Sequence, residues 1–306
     1  MAEKKTAKDW FMEGYRYDST GTNIDKAISA YKKSIKIDNT FTDAFVNLGF
    51  AYLQKEDYDN ALKCFTRVVE LEPNNPEAYN NLGYIYEKME RFGSAKQMYE
   101  KALALNPQDI EAIINLAQIA ELQGDYLGAA EQYKRAIEVN PYAVNPRFCL
   151  ALLHDRQDMF DEAIDQYKKV LEIEPNHVKA LFQLANIYTQ QGDYDDAIAL
   201  FKKVLELEPN HAEAWNNLGS IYEEMGNYND ATSAYKIALS LNPYHEQANF
   251  NLAHLDYIRD RAKPYGRDVT LKREEIIRRL HFILSINPKN KKAQKLLQQV
   301  ENELKE

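Results

Sequence analysis

Two consecutive stretches of the chain, residues 42–75 and 76–109, align without a gap and decide the fold: TDAFVNLGFAYLQKEDYDNALKCFTRVVELEPNN and PEAYNNLGYIYEKMERFGSAKQMYEKALALNPQD. Each has Leu-Gly in its first third, an alanine four residues before a phenylalanine or tyrosine, and a proline near its end. The proline recurs every 34 residues, as Pro73, Pro107, Pro141, Pro175, Pro209 and Pro243. A fixed period of this kind is typical of a stacked array in which each unit contacts its neighbours.

Small residues recur at two other places in the same period. Numbering each unit so that the prolines occupy position 32 places residue 42 at position 1. Position 8 is always glycine or alanine: Gly49, Gly83, Ala117, Ala151, Ala185, Gly219 and Ala253. Position 20 is alanine in every regular unit: Ala61, Ala95, Ala129, Ala163, Ala197 and Ala231. Two helices approach to about 8–10 Å where side chains are small, and proline cannot continue a helix. Each unit is therefore predicted to be a pair of antiparallel helices.

Leucine at position 7, a small residue at 8, alanine at 20, an aromatic residue at 24 and proline at 32 resemble the tetratricopeptide repeat pattern W-x2-L-G-x2-Y…A-x3-F…P. The resemblance covers nearly the whole chain. It implies an all-α, right-handed superhelical solenoid of about eight helix-turn-helix repeats plus a C-terminal capping helix. It also implies a non-enzymatic scaffold that holds another polypeptide.

The repeats are predicted to form one solenoid over residues 1–306. The predicted segments are a degenerate repeat (6–40), six regular repeats (42–75, 76–109, 110–143, 144–177, 178–211 and 212–245), a degenerate repeat (246–289) and a capping helix (290–306). An insertion around Lys263-Pro264-Tyr265-Gly266 separates the two helices of the last repeat. The cap is predicted because a terminal repeat needs a polar outer face.

Composition limits the classes of partner. The 306 residues carry a formal net charge of -9, which disfavours nucleic acid because the phosphate backbone is itself negative. Hydrophobic residues at 45% and charged residues at 28% fit a folded, soluble chain. The sequence contains no run of about 18 apolar residues, so we expect no integral membrane segment. The two cysteines fall in different repeats, which fits a reducing compartment, so we expect a cytoplasmic protein.

The sequence points to no catalytic, metal or cofactor site. Three histidines, His177, His211 and His245, recur two residues after position-32 prolines. They belong to successive turns and cannot converge on one ion at the distances of about 2.0–2.2 Å that zinc requires. We interpret them as polar turn residues copied with the repeat. Neither a phosphate-binding loop nor a nucleophile motif is present.

In the tetratricopeptide family, the first helices line a concave groove, to which positions 2, 5, 9 and 12 contribute. The resemblance therefore implies an apolar groove formed by Phe50, Tyr84, Ile114, Phe148, Leu152 and Phe182. It implies an acidic margin formed by Glu77, Glu111, Glu121 and Asp155. Our hypothesis is an extended or helical peptide ligand with apolar anchors and some basic residues. The alternative is that the aromatic residues at position 5 only pack between adjacent first helices.

Position 6 carries a ladder of asparagines, which Cys149 and Gln183 interrupt: Asn47, Asn81, Asn115, Asn217 and Asn251. The ladder is similar to that in the repeat domain of O-linked N-acetylglucosamine transferases, where the amides hydrogen-bond a peptide backbone. The alternative is that asparagine is simply common at this position in the family. The lysine and asparagine clamp with which chaperone-binding members hold a C-terminal carboxylate is missing, since position 5 is never basic.

Basic residues are concentrated between residues 258 and 281: Arg259, Arg261, Lys263, Arg267, Lys272, Arg273, Arg278 and Arg279. A basic end and an acidic body could pair between molecules, which makes a homo-oligomer possible, or the basic end could be a solvated cap. Three functions follow in order of preference: an adaptor that binds a peptide or protein in the groove, a self-assembling scaffold, and a regulatory repeat region of a glycosyltransferase.

Overall fold

All regular secondary structure in the described part of the chain is α-helical. The computed structural model describes residues 5–21, 23–261 and 269–304, without the side chains of 269–272. Its helices are α1 (Ala7–Ser19), α2 (Ile24–Ile37), α3 (Thr42–Gln54), α4 (Tyr58–Leu71), α5 (Pro76–Lys88), α6 (Phe92–Leu105), α7 (Ile110–Leu122), α8 (Tyr126–Val139), α9 (Val144–Asp155), α10 (Phe160–Ile173), α11 (Val178–Gln191), α12 (Tyr194–Leu207), α13 (Ala212–Glu224), α14 (Tyr228–Leu241), α15 (Glu246–Arg261), α16 (Val269–Ile286) and α17 (Lys291–Glu303). The predicted all-α class is confirmed. The insertion predicted around Lys263-Pro264-Tyr265-Gly266 lies outside the described residues.

The chain forms two compact units, Met1–Leu153 and His154–Glu306. In the first unit, α1 to α8 pack as consecutive pairs, and each pair packs on the next. In the second unit, α11 to α16 do the same, and α17 packs on α16. Contacts between helices that are close in sequence are typical of a solenoid. The predicted limits of the individual repeats stay a prediction.

Side-chain caps fix where many helices begin. Asp57, Asn75 and Asp109 each accept a hydrogen bond from a backbone N–H in the first turn of the following helix. His211 does the same with Nδ1, which accepts from the N–H of Ala214 at 3.2 Å, and His177 and His245 occupy equivalent sites. The recurring histidines are therefore helix caps, each of which satisfies a backbone donor that the helix leaves free.

The turn between the two helices of a repeat needs one residue in the left-handed region. Gly124, Gly192 and Gly226 fill this place with φ of 78°, 84° and 77°. In other repeats Glu56 and Glu90, both at φ 57°, and Asp158, at φ 58°, occupy it without being glycine. The backbone thus makes the same turn whether or not the sequence favours it.

The core is built on the aromatic ring at position 24. Phe65, Tyr99 and Tyr235 are fully buried. Where position 8 is glycine, the ring lies directly on the backbone: a Cβ on Gly49 would come within 2.6 Å of Phe65, and one on Gly219 within 2.7 Å of Tyr235. Position 8 is therefore small because it faces the ring of its partner helix.

Charged side chains, one of them buried, join the last three helices of the second unit. Arg273 of α16 donates to Asp260 of α15 at 2.9 Å, and Asp260 is 7% exposed. Arg273 also donates to the backbone oxygen of Glu303 in α17, whose carboxylate accepts from Tyr257 at 2.6 Å. These contacts fix α17 against both preceding helices.

Candidate functional site

The residues predicted to form the apolar groove fall in both units and differ in exposure. In the first unit, Phe50 is 45% and Tyr84 is 40% exposed. The Phe50 ring packs edge-on against Phe65, with centroids 5.3 Å apart, which fixes its orientation. Phe148 and Leu152 are part-buried. Phe50 thus combines a defined orientation with an exposed apolar surface, and Tyr84 presents a second exposed ring at the same position of the next repeat.

Two other predicted groove residues are held inside the repeat stack. Ile114 is 6% exposed and belongs to the core of the first unit. In the second unit, Phe182 is part-buried between two rings, Phe201 at 5.7 Å and the capping His211 at 4.8 Å. Their surroundings favour the alternative that position 5 packs between neighbouring helices.

Acidic residues at position 12 are partners of the buried tyrosines. The hydroxyl of Tyr133 donates to Glu121 at 2.5 Å, and that of Tyr99 donates to Glu87 at 3.0 Å. Tyr235 makes the same contact with Glu223 at 2.8 Å. Burial raises the pKa of these tyrosines above the ordinary value, so they stay neutral donors. Glu121, predicted as part of the acidic margin, therefore has an internal role as well.

The sequence carries a signal for this pairing. Wherever position 24 is tyrosine in a regular repeat, position 12 is acidic, and the pairs are Tyr99 with Glu87, Tyr133 with Glu121, Tyr167 with Asp155 and Tyr235 with Glu223. Where position 24 is phenylalanine, position 12 is uncharged: Phe65 occurs with Leu53 and Phe201 with Thr189. Glu77 and Glu111, at position 2, are exposed.

The asparagine ladder connects consecutive first helices. In the first unit, Asn115 donates to Asn80 of the preceding repeat at 3.1 Å. Asn81 is part-buried. A ladder amide thus joins its repeat to the one before it, a role that sequence reasoning did not assign.

In the second unit the amides form an unbroken hydrogen-bonded series, here called the amide chain. Gln247 donates to Asn251 at 2.7 Å, and Asn251 donates to Asn216 at 3.1 Å. Asn216 donates to Asn217 at 3.1 Å, and Asn217 donates to Asn186 at 2.9 Å. The last link runs from Asn186 to Oε1 of Gln183 at 3.2 Å. The amide chain therefore crosses α15, α13 and α11, and it includes Gln183, which interrupts the asparagine pattern.

A polar pocket of about 340 Å³ lies where the amide chain ends. Its lining includes Gln183, Asn186 and Asn217 of the amide chain, together with Asp155 at the end of α9. Burial, and then the nearby Asp158, raise the pKa of the Asp155 carboxyl above its usual range. A carboxylate of the predicted acidic margin and the ladder amides thus line the same cavity.

The basic residues near the C-terminus are largely engaged within the chain. Arg259 donates to Asn229 at 3.0 Å and to Thr232 at 3.1 Å. Arg273 pairs with Asp260, and Arg279 with Glu275 at 3.3 Å. Lys263 and Arg267 lie outside the described residues. Arg259, Arg273 and Arg279 thus contribute to internal contacts.

Two further properties concern the described residues alone. They contain no group of three histidine, cysteine, aspartate or glutamate side chains arranged to hold a metal ion. Among the helices with described residues, none has both the length and the apolar character needed to cross a bilayer.

Comparison with protein families agrees with the repeat architecture. Models described as tetratricopeptide repeat match residues 76–109, 98–131, 156–216 and 188–243, and a model described as TPR repeat matches residues 51–90. Together these matches extend over more than half of the chain. No curated protein gives a significant match.

Solved structures with the same repeat architecture resemble the chain over different lengths. MamA is 27% identical with a TM-score of 0.50, over 54% of this chain and 96% of MamA. YrrB, a TPR protein with an unusual peptide-binding site, is 22% identical with a TM-score of 0.52, over 61% of this chain and 97% of YrrB. A tetratricopeptide repeat protein from Parabacteroides merdae ATCC 43184 is 19% identical with a TM-score of 0.59, over 81% of this chain and 98% of that one.

These likenesses confirm the predicted solenoid class and indicate a protein-interaction scaffold, since stacked repeats present extended binding surfaces. Four family models, the regular spacing of prolines and the stacked helix pairs all agree. The chain belongs to the tetratricopeptide repeat family.

Proposed function

We propose that this protein is a non-enzymatic adaptor that binds a peptide segment of a partner protein along the faces of its first helices. The observation that carries the proposal is the exposure of Phe50 and Tyr84, at the same position of consecutive repeats. Large apolar side chains that stay exposed at a fixed orientation mark interaction surfaces, because solvation alone gains nothing from them. YrrB, with its peptide-binding site, gives a precedent for such a use of the fold.

Polar side chains on the first helices of the second unit also support a peptide ligand. Asn217 and Asn251 are part-buried and belong to the amide chain, yet each amide group has two N–H donors and two acceptor lone pairs. The contacts in the amide chain use one donor and one acceptor of each residue. Asn251 gives its second N–H to the hydroxyl oxygen of Ser220 at 3.2 Å, so Asn251 keeps an acceptor lone pair, whereas Asn217 keeps both a donor and an acceptor. These groups suit the alternating N–H and C=O groups of a peptide backbone.

Selection from a library of random peptides displayed on phage tests the adaptor function. We expect the immobilised protein to enrich peptides with bulky apolar residues. The double variant Phe50→Ala, Tyr84→Ala is expected to bind the enriched peptides at least about tenfold more weakly, because each truncated aromatic anchor typically costs 1 kcal/mol or more.

Leu127→Ala is the matched control, since Leu127 is an apolar residue of the same unit that is 82% exposed and lies on the second helix of its repeat. Its affinity for the enriched peptides should equal that of the unmodified protein. Enriched peptides that bind the double variant and the unmodified protein equally would show that the aromatic face is not the binding surface. A library without any enriched peptide would count against the adaptor function itself.

A further inference from the structure

The five hydrogen bonds of the amide chain all point in one direction. Each donor lies on the side of Gln247 and each acceptor on the side of Gln183. Hydrogen bonds aligned in series polarise one another, which makes the terminal acceptor more negative than an isolated amide oxygen. That terminal acceptor, Oε1 of Gln183, belongs to a residue that lines the pocket at the end of α9.

The same pocket contains a carboxylate. Asp155 is part-buried, and the pocket lining brings in amide and hydroxyl groups but no cationic side chain among the described residues. The raised pKa of Asp155 has burial as its main cause, with Asp158 adding to it and Arg156 opposing it. A negative charge that burial disfavours gains more from a bound cation than a fully solvated carboxylate does.

The neutral groups of the pocket can accept further hydrogen bonds. The side-chain oxygens of Asn186 and Asn217 each accept one bond within the amide chain and keep a second lone pair. Thr189 donates its hydroxyl to the backbone oxygen of Ala185, so its oxygen also remains an acceptor. Acceptors placed around one carboxylate suit a planar cation with several N–H donors, which is the chemistry of a guanidinium group.

We propose that this pocket binds the guanidinium group of an arginine side chain in the peptide ligand. The proposal rests on the proposed adaptor function and adds the chemistry of one ligand residue. Asp155 supplies the charge, Gln183 supplies the polarised end of the amide chain, and Asn186 and Asn217 supply oriented acceptors. The other regular repeats with tyrosine at position 24 place a glutamate at position 12, whereas this repeat has the shorter aspartate.

Two isosteric probes test the pocket without an identified partner. N-acetyl-arginine methylamide carries the charged guanidinium, and N-acetyl-citrulline methylamide carries an uncharged ureido group of the same shape. We expect the arginine probe to perturb the side-chain amide NMR signals of Gln183, Asn186 and Asn217, and to bind at least about fivefold more tightly than the citrulline probe. Equal binding of both probes, or no saturable binding of the arginine probe, would overturn the proposal.

Two charge-removing variants give the matched comparison. Asp155→Asn keeps the size of the side chain. We expect this variant to bind the arginine probe no more tightly than the citrulline probe. Asp158→Asn removes the same charge three residues away, outside the pocket lining, and asparagine tolerates the left-handed backbone found there. We expect Asp158→Asn to bind the arginine probe with an affinity within about twofold of that of the unmodified protein. Loss of affinity in both variants would mean general electrostatic attraction instead of a specific site.

The outcomes separate this proposal from the adaptor function. If phage selection yields peptides that bind unmodified protein and Asp155→Asn equally, the adaptor function stands and the arginine pocket fails. If selection yields no peptides but the arginine probe still binds through Asp155, the pocket stands and the adaptor function fails. The comparison of the two probes on unmodified protein stays decisive even if Asp155→Asn does not fold.

Discussion

The hydroxyl of Tyr99 and the carboxylate of Glu87 form a 3.0 Å hydrogen bond between the second and first helices of one repeat. Tyr99 is fully buried, and Glu87 is part-buried. The same positions hold Phe65 and Leu53 in the preceding repeat, where no hydroxyl needs a partner. The chain thus contains two solutions for one contact, one polar and one apolar.

A double-mutant cycle on this pair tests whether the two positions are coupled. Tyr99→Phe removes the donor, and we expect it to lower the free energy of unfolding by about 1–2 kcal/mol, because a buried hydrogen bond to a charged group is lost. Glu87→Leu leaves the hydroxyl unsatisfied and should cost a similar amount. The double variant reproduces the Phe65 and Leu53 combination, so its cost should be smaller than the sum by at least about 0.5 kcal/mol. Urea denaturation gives the free energy of unfolding of the unmodified protein, the two single variants and the double variant. If the costs of the two single substitutions simply add in the double variant, the two positions are not coupled.

Glycine at position 8 is expected to be required wherever the ring lies on it. In Gly49→Ala the new methyl group would lie 2.6 Å from the Phe65 ring, which is rigid and surrounded by core residues. We expect a loss of about 1–3 kcal/mol in the free energy of unfolding, the usual cost of overpacking. Gly93→Ala in α6 is the control, since a Cβ there meets nothing within 4 Å. It should be neutral or stabilise by up to about 1 kcal/mol through helix propensity. An equal effect of both substitutions in thermal unfolding would contradict the packing argument.

The non-glycine residues in the left-handed turns offer a test of backbone strain. Glu90 has φ of 57°, in the turn that Gly124 makes in the following repeat. Since a side chain costs about 1–2 kcal/mol in this conformation, and glycine loses more entropy on folding, Glu90→Gly should stabilise the protein by about 0.5–1 kcal/mol. Gly124→Ala is the reverse change, at a site where a Cβ meets no atom within 4 Å, and it should destabilise by about 1 kcal/mol. Chemical denaturation that finds both substitutions neutral would show that the turns carry no strain.

The sequence predicts the helix pairs well because their causes are local and repeated. Proline at position 32 and the small residues at positions 8 and 20 act within one repeat, so their spacing is visible in the printed chain. The pairing of Tyr99 with Glu87 could also have been found, since tyrosine and an acidic residue occur together from repeat to repeat. The histidine caps had a weaker signal: asparagine and aspartate replace them at Asn75 and Asp109, and these residues are the more familiar helix caps.

The orientation of position 5 could not be predicted, because it depends on contacts between repeats. Ile114 and Phe182 look alike as apolar groove candidates, yet one belongs to a core cluster and the other packs against the ring of His211. Phe50 at position 9 remains exposed although it belongs to the same predicted set. The direction of the amide chain is also a property of several repeats together, since each link needs the neighbouring amide to be in place.

The ionisation of Asp155 should make the stability of the protein depend on pH in a definite direction. Burial raises the pKa of this carboxyl in the folded state, so the folded protein holds the proton more tightly than the unfolded chain does. Protonation of Asp155 therefore contributes to the stability of the folded state, and this contribution is fully present at pH values below the unfolded pKa of about 3.9. It is lost as the pH rises through the raised, folded pKa.

Asp155→Asn cannot ionise and isolates this effect. The variant should be about as stable as the unmodified protein near pH 3, below the unfolded pKa of about 3.9, and more stable than it near pH 7.5. The difference in the free energy of unfolding, measured by urea denaturation at both pH values, should therefore grow with pH. Asp158→Asn is again the control: it removes a charge next to Asp155, so it should reduce the pH-dependent cost without abolishing it. A pH-independent difference between Asp155→Asn and the unmodified protein would mean that burial does not penalise the Asp155 charge, and would also remove one support for a bound cation in the pocket.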